Sequence, residues 1–205
     1  MKNIFKSVFI LAATAGLLTS CVNEDDFDIP AVREAFFSET FETATNNTNL
    51  DFVGWTNYAE QGTWLWREKT FDGNGYAEFS AFNSGSASNV VWMITPAIDA
   101  SMYATPRLTF KCAQHHLDVD APENSLEVLY STDYDGTNVS AATWTSFDGL
   151  NLPTMDEEWY AFLNSDVAVP AHENLYIAFK FRGSGTNLTH DGAFQIDDVF
   201  VYNQN

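Results

Sequence analysis

The chain has 205 residues, with 28 acidic and 9 basic side chains, and carries a formal charge of −19 at pH 7. Binding to nucleic acid needs clustered lysine and arginine to neutralise phosphates, so this composition excludes that class of function. Hydrophobic residues make up 45% of the chain and aromatic residues 15%, which is too rich for an acidic disordered protein. A chain of this length buries enough surface to form a core, and we expect one folded domain.

The first 20 residues have the pattern of an export signal. Two lysines precede the apolar run 8–13, and the segment contains no acidic residue. The apolar run is too short to cross about 30 Å of bilayer core as a permanent helix. The segment ends in Leu18-Thr19-Ser20-Cys21, which resembles the bacterial lipobox, and we expect residues 1–20 to be a lipoprotein signal peptide and Cys21 to be lipidated. The alternative is an ordinary cleaved signal followed by an incidental cysteine.

Residues 21–35 have the composition of an acidic tether between the predicted anchor and the folded domain. Acidic residues cluster at 24–28, without a core-forming pattern. Such a cluster directly after the anchor resembles the surface-export signal of lipoproteins in some Gram-negative lineages. We therefore expect an outer-membrane lipid anchor and a cell-surface location, with a plain solvated linker as the alternative. Removal of residues 1–20 takes away two lysines and no acid, so the mature charge is −21.

Residues 36–205 are predicted to form one all-β domain. Apolar and polar residues alternate in short segments separated by Gly, Asn, Asp, Ser and Pro, and no stretch of ten residues keeps a helical period. The predicted strands are 36–42, 52–58, 64–71, 75–82, 89–95, 107–116, 125–131, 157–163, 174–183 and 193–202. About ten short strands in one domain predict a two-sheet antiparallel β-sandwich of the jelly-roll type.

Alternation also assigns core-facing residues in three of these strands. The predicted core sets are Leu175, Ile177, Phe179 and Phe181 in one strand, and Phe194, Ile196, Phe200 and Tyr202 in the last strand. Cys112 shares a strand face with Leu108 and Phe110, which predicts a buried thiol. An exported domain with a single thiol has no internal disulfide, so its stability must come from its core and from any bound metal.

The strands carry a resemblance to a known family. The matching segments, in order, are 37–42 (FSETFE), 92–99 (WMITPAID), 130–136 (YSTDYDG) with 142–145 (ATWT), 177–181 (IAFKF) and 194–199 (FQIDDV). Together they resemble the choice-of-anchor J domains, which are close to the cleaved-adhesin domains of gingipains and more remote from MAM domains and jelly-roll carbohydrate-binding modules. The resemblance implies a non-catalytic jelly roll on a surface or secreted protein that acts in adhesion or ligand capture, often with bound calcium.

The resemblance also implies where a structural Ca²⁺ would bind. In jelly rolls of this type the first and last strands lie close together, and a hard cation there takes oxygen ligands from both. The candidate ligands are Glu39, Glu42, Asp72, Asp197 and Asp198. Strand parity places Asp198 on the core side with Ile196 and makes it the first choice, because an uncompensated buried carboxylate is costly. A backbone hydrogen bond, or exposure at a frayed strand end, is the alternative.

Two further pairs of side chains have chemical potential. Trp64 and Trp66 alternate beside polar residues and are predicted to form a platform for a sugar or peptide ligand, with packing in the core or between strands as the alternative. His115 and His116 are adjacent in a predicted strand, so parity puts them on opposite faces, where they cannot chelate one metal ion. Parity therefore predicts polar residues at a strand end and no metal site.

The sequence favours a binding function over catalysis. It contains no nucleophile elbow, zinc-protease motif or phosphate-binding glycine loop. Together with the resemblance, this favours a non-catalytic cell-surface binding module, and the strong negative charge favours a neutral glycan or a basic protein surface as its ligand. The alternative is a small glycosidase-like surface hydrolase that uses an unrecognised carboxylate or histidine site, because spatial pairs of carboxylates are not visible in sequence.

Overall fold

The structure, a computed structural model, describes residues 34–204. The strands are β1 (Ala35–Glu39), β2 (Thr56–Gln61), β3 (Arg67–Phe71), β4 (Asn74–Ser80), β5 (Asn89–Ile94), β6 (Pro106–His115), β7 (Ser125–Ser131), β8 (Thr145–Ser146), β9 (Leu163–Ala168), β10 (Tyr176–Gly183) and β11 (Ala193–Asn203). A short 3-10 turn, Val139–Ala141, is the helical segment of this part of the chain. Within it no helix has the length and apolarity needed to span a membrane. The predicted signal peptide, Cys21 and most of the acidic tether lie outside the described residues.

The strands form two sheets in which all the pairings are antiparallel. The six-stranded sheet has the order β3-β4-β11-β6-β9, with β1 also paired to β11, and the five-stranded sheet has the order β2-β5-β10-β7-β8. The two sheets enclose one main hydrophobic core. This arrangement confirms the predicted all-β, two-sheet antiparallel sandwich of the jelly-roll type.

The alternation of β10 supplies much of the core, as predicted. Ile177, Phe179 and Phe181 are fully buried, and the ring of Phe179 meets that of Phe110 on β6 edge to face at 5.3 Å. Cys112 is also buried, and burial raises the pKa of its thiol. A protonated, inaccessible thiol serves packing, which confirms the prediction of a structural cysteine.

Strand β11 departs from its predicted alternation at a β-bulge. Its register against β6 shifts between Asp197 and Phe200, and Asp198 adopts the left-handed backbone conformation with φ of 50°. One extra residue in a strand moves every later side chain to the other face. The positions after the bulge that join the main core are therefore Val199 and Val201; the predicted Phe200 is only partly buried, whereas Tyr202 is buried but lies outside that core.

The predicted strand 157–163 is wrong. Residues 154–162 form a loop, and β9 begins at Leu163, where it pairs with β6. The backbone N–H of Tyr160 donates to the carbonyl of Gln114 (2.8 Å), and the Gln114 side-chain amide donates to the carbonyl of Glu157 (2.7 Å). These two bonds hold the 154–162 loop against the end of β6 without a strand pairing.

The outer faces of the two sheets are covered differently. On the five-stranded sheet, the connection between β7 and β8 folds back and buries Trp92, Tyr134 and Val139 in a second, smaller apolar cluster. Trp144, from the same connection, packs on Trp92 with ring centroids 5.2 Å apart. On the six-stranded sheet, the 154–162 loop forms one wall of an open cleft. The six-stranded sheet therefore offers the accessible concave surface.

Candidate functional site

A cleft of about 720 Å³ lies on the outer face of the six-stranded sheet, between the β3–β4 hairpin and the 154–162 loop. We call it the aromatic cleft. The residues that line it are Lys69, Phe71, Asn74, Tyr76, Glu78, His115, Tyr160, Phe162 and Gln195. Phenylalanine and tyrosine rings surround a small number of polar groups, which is the composition that small-ligand sites share.

Strand alternation builds the floor of the aromatic cleft. Ala77 and Phe79 of β4 are buried in the core, so the residues between and beside them, Tyr76 and Glu78, face outward. Gln195 of β11 lies directly opposite Glu78 in the antiparallel register. Side chains separated by 117 residues in the sequence therefore meet on one surface.

A hydrogen-bonded network fixes the polar groups of the floor. The amide of Gln195 donates to Glu78 Oε2 at 2.8 Å, His115 Nε2 lies 3.3 Å from the same oxygen, and Lys69 Nζ lies 3.5 Å from Glu78 Oε1. Burial alone would raise the pKa of Glu78, but the hydrogen bonds from His115 and Gln195 and the charge of Lys69 outweigh it, and its pKa falls below the ordinary value. Glu78 is therefore a carboxylate whose charge is compensated by its neighbours.

The tyrosine of the floor stays neutral. Burial, together with the negative charge of Glu78, raises the pKa of Tyr76 to about 12. Its ring meets that of Phe162 edge to face, with centroids 6.5 Å apart. At physiological pH, Tyr76 thus presents an uncharged hydroxyl and an apolar ring to the cleft.

Exposed aromatic rings stand on both walls. Phe71 is 75% exposed at the end of β3, beside the two-residue turn Asp72-Gly73, whose φ angles of 51° and 85° are those of a tight hairpin. Tyr160 is 53% exposed on the opposite wall, and its ring stacks on His115 with centroids 4.9 Å apart. Exposed ring faces of this kind stack on sugar rings or pack on an apolar partner.

The chemistry of the aromatic cleft suits binding. Glycoside hydrolysis uses two carboxyl groups on opposite sides of the scissile bond, one of them with a raised pKa. Among the described residues that line the cleft, Glu78 is the single carboxylate, and its pKa is lowered. A compensated carboxylate anchors hydrogen bonds and is poorly suited to donate a proton.

The two tryptophans predicted as a ligand platform lie elsewhere. Trp66 is fully buried, its ring packs on Phe79 at 6.1 Å, and its indole N–H donates to the carbonyl of Val91 at 3.3 Å. Its predicted role in ligand binding is therefore wrong, because no part of its ring is accessible. Trp64 is half-buried against the same core, with the guanidinium of Arg67 5.4 Å from its ring. Neither residue lines the aromatic cleft.

The predicted calcium ligands lie near the junction of three strands. Strand β4 pairs with β11 as far as Ile196, and β1 pairs with β11 from Val199 onward, so the bulge of β11 lies between the ends of β1 and β4. The carbonyl of Phe41, just after β1, packs so closely on Gly75 that a Cβ atom there would overlap it. The first and last strands of the domain therefore adjoin, as the resemblance implies.

Asp197, and not Asp198, is the buried carboxylate of this junction. Asp197 is 4% exposed; its Oδ2 accepts from the Asn74 amide at 2.9 Å and its Oδ1 from the backbone N–H of Asp198 at 2.7 Å. Burial raises the pKa of Asp197. The side chain of Asp198 is partly exposed and forms an ion pair with Lys111 at 2.6 Å, because the bulge turns it away from the core. The parity argument for Asp198 is therefore wrong.

The other candidate ligands do not converge with Asp197 on one point. Glu39 accepts a hydrogen bond from the backbone N–H of Phe41 at 2.9 Å, whereas Glu42 and Asp72 are exposed in turns. Within residues 34–204, no group of three or more acidic, histidine or cysteine side chains converges as metal ligands do. Of the five predicted ligands, Asp197 is therefore the one that is buried at the junction.

A second cleft, of about 480 Å³, lies at one end of the sandwich. The loops after β4, β6 and β10 form it, and its lining is mainly polar, with Asn89, Glu123, Arg182, Asn187 and His190 among its residues. It has no aromatic ring of phenylalanine, tyrosine or tryptophan in its described lining. We therefore regard the aromatic cleft as the better candidate for ligand binding.

Sequence reasoning missed the residues of the aromatic cleft. The sequence signal that could have found them is the alternation in β4, where Tyr76 and Glu78 face outward and alternate with the inward-facing Ala77 and Phe79. That signal does not reveal which strands are neighbours, and the sequence predicts a strand at 157–163, where the structure has the 154–162 loop. The site depends on the strand order and on this loop.

Comparisons with known proteins bear on the fold. No family model and no curated protein matches the chain. Among solved structures, the K1 cleaved adhesin domain of Lys-gingipain from Porphyromonas gingivalis W83 is similar, with 19% identity and a TM-score of 0.52 over 82% of this chain and 98% of that one. The K3 domain from the same organism has 15% identity and a TM-score of 0.51, over 83% of this chain and 100% of that one. The K2 domain of Lys-gingipain has 16% identity and a TM-score of 0.51, over 82% of this chain and 98% of that one. At these identities the likeness concerns architecture, and the chain has the β-sandwich fold of the cleaved adhesin domains.

Proposed function

We propose that this chain is a non-catalytic cell-surface binding module that captures a neutral glycan, or an uncharged or basic protein segment, in the aromatic cleft. The observation that carries the proposal is the aromatic cleft itself, with exposed rings on both walls over a floor of fixed polar groups. The likeness to adhesin domains supports a binding role in general. The outer-membrane location and the lipid anchor at Cys21 are part of the same proposal.

The electrostatics of the cleft support a neutral ligand. The mature chain carries a charge of −21, which repels anionic ligands over about 8 Å at physiological salt. Inside the cleft, Lys69, Gln195 and His115 already engage the one carboxylate, so a ligand meets little uncompensated charge. Apolar ring faces then supply affinity, and the amides of Asn74 and Gln195 orient hydroxyl or carbonyl groups.

The experiment combines a screen with matched variants of exposed aromatic residues. The full chain is screened on an array of neutral oligosaccharides, and the dissociation constant of a hit is measured by calorimetry. Tyr160→Ala and Phe71→Ala are each expected to weaken binding about tenfold or more, because each removes a stacking face. Phe82→Ala is the control, since Phe82 is 52% exposed, much like Tyr160, but lies outside the cleft.

Two results would contradict this proposal. If Phe82→Ala weakened binding as much as Tyr160→Ala, the ligand would not occupy the aromatic cleft. If the wild-type chain shortened the bound glycan and Glu78→Gln abolished that activity, the hydrolase alternative would be correct. Sites that hydrolyse glycosides lose several orders of magnitude in rate without a carboxylate, so the second result is easily detected.

We further propose that Asp197 binds a structural Ca²⁺ at the junction of β1, β4 and β11. A ligand that binds only the folded state stabilises it by about 2.7 kcal/mol at one hundred times its dissociation constant. For a domain of this size, EDTA is then expected to lower the melting temperature by roughly 5–10 °C, and Asp197→Ala to abolish that difference. Asp72→Ala, in the exposed hairpin turn, should respond to EDTA as the wild type does. A wild-type melting curve that neither EDTA nor added Ca²⁺ moves would overturn the calcium proposal.

A further inference from the structure

Two adjacent histidine rings converge at the end of β6. Strand β6 ends at His115, and His116 adopts the left-handed conformation with φ of 55°. This backbone turn brings the second ring back toward the first, so that the two Nδ1 atoms lie 2.8 Å apart and the ring planes are nearly perpendicular, at 83°. The prediction from strand parity that the two rings face opposite sides is therefore wrong.

Contacts on their far sides hold both rings in place. Nε2 of His115 lies 3.3 Å from Glu78 Oε2, and the His115 ring stacks on Tyr160. The ring of His116 packs on that of Trp159, with centroids 4.0 Å apart. A carboxylate at Nε2 favours the tautomer with its proton on that nitrogen, so Nδ1 of His115 presents a lone pair. This carboxylate–histidine pairing is the support that metal-binding histidines usually have.

The separation of the two nitrogens is within the span of two ligands on one ion. Two nitrogen ligands with bonds of about 2.0 Å lie about 2.8 Å apart when they are at 90°, as in square-planar or tetragonal complexes. At a tetrahedral angle the same bonds give about 3.3 Å. The observed 2.8 Å between the Nδ1 atoms is the length of a hydrogen bond between the rings, so both nitrogens are near enough to bind one ion in place of that bond. The affinity of nitrogen sites for first-row divalent ions rises through Ni²⁺ to Cu²⁺ and falls again at Zn²⁺, so we expect Cu²⁺ to bind this pair more tightly than Zn²⁺.

We propose that His115 and His116 together chelate a divalent transition-metal ion of tetragonal preference, Cu²⁺ or Ni²⁺, at the rim of the aromatic cleft. No third acidic, histidine or cysteine side chain of residues 34–204 converges with them, so water or an exogenous ligand completes the coordination. Acidic groups lie nearby: Glu78 contacts His115, and Asp191 interacts electrostatically with His116 and with Asp118. The metal site shares His115 with the lining of the aromatic cleft, but its test does not require that the cleft bind a glycan.

The test is a titration of the full chain with Cu²⁺, Ni²⁺ and Zn²⁺ salts against a competing chelator. We expect one equivalent of Cu²⁺ to bind, with nitrogen coupling in its electron paramagnetic resonance spectrum, and His116→Asn and His115→Gln each to weaken binding at least tenfold. Asparagine tolerates the left-handed backbone of residue 116, so His116→Asn should stay folded. His172→Ala is the matched control, since His172 is half-buried, lies outside the pair and should leave binding unchanged.

Fluorescence locates the bound metal. Cu²⁺ held by His116 should quench Trp159, and Trp159→Phe should remove most of the quenching while it leaves the affinity within about threefold, because Trp159 only packs on the ligand. Binding that His116→Asn leaves unchanged would overturn the proposal. So would tighter binding of Zn²⁺ than of Cu²⁺, or quenching that persists in Trp159→Phe.

Discussion

Replacement of Trp66 by alanine is expected to lower the free energy of unfolding by about 3–5 kcal/mol, the range for loss of a large aromatic side chain from a core. Trp66 is fully buried, packs on Phe79 and donates its indole N–H to the carbonyl of Val91. The substitution removes these contacts and leaves a cavity between the two sheets, because neighbours on a hydrogen-bonded sheet collapse only partly. Unfolding in urea, followed by circular dichroism, measures the change in midpoint.

The matched variant is Trp64→Ala, two residues earlier. Trp64 is half-buried at the edge of the same core, and we expect its removal to cost about 1 kcal/mol, well below the cost at Trp66. Similar losses for the two variants would contradict the core position of Trp66. Neither variant should alter ligand binding in the aromatic cleft, provided that the protein is folded.

Replacement of Cys21 by serine is expected to move the protein from the membrane fraction to the soluble fraction of a host that processes lipoproteins. Acyl chains on this residue would be the whole membrane anchor, and stable anchoring needs more than one chain. Loss of the thiol removes the attachment point for all of them. Fractionation followed by immunoblotting measures the change, and protease digestion of intact cells tests whether the wild-type protein faces outward.

Cys112→Ala provides the control for loss of a thiol. Cys112 is buried in β6, so its replacement should leave the distribution between fractions unchanged. If Cys21→Ser and the wild type were equally soluble, or equally bound to membranes, the anchoring proposal would be wrong. Protection of the wild-type protein from protease in intact cells, with anchoring intact, would contradict surface export alone.

The strands could be predicted where the alternation is regular. In β10, Ile177, Phe179 and Phe181 occupy the predicted core face, because side chains alternate between the two faces of a regular strand. The residues between them face outward, where they meet solvent or the second cluster. In β11 the prediction failed after Asp197. Glycine at the left-handed position is the usual sequence signal of a bulge. Here that position is Asp198, whose side chain forms an ion pair with Lys111 of the neighbouring strand.

The candidate sites depended on contacts between distant segments. Glu78 and Gln195 meet only because β4 and β11 are neighbours in the sheet. The wall with Tyr160 exists because Gln114 binds the backbone of the 154–162 loop from β6. Polar and aromatic residues at outward positions look alike in sequence, whether they face bulk water or a cleft.

The sequence by itself determined the acidic charge, the all-β class, the buried thiol of Cys112 and the core faces of regular strands. These properties follow from composition and from side chains two residues apart on one strand, so local order is sufficient. The tertiary structure alone decided that Trp66 is core, that Asp197 and not Asp198 is the buried carboxylate, and that the rings of His115 and His116 converge. Each of these depends on strand order, on a bulge or on one left-handed residue, and such features arise from packing between segments that are remote in the chain.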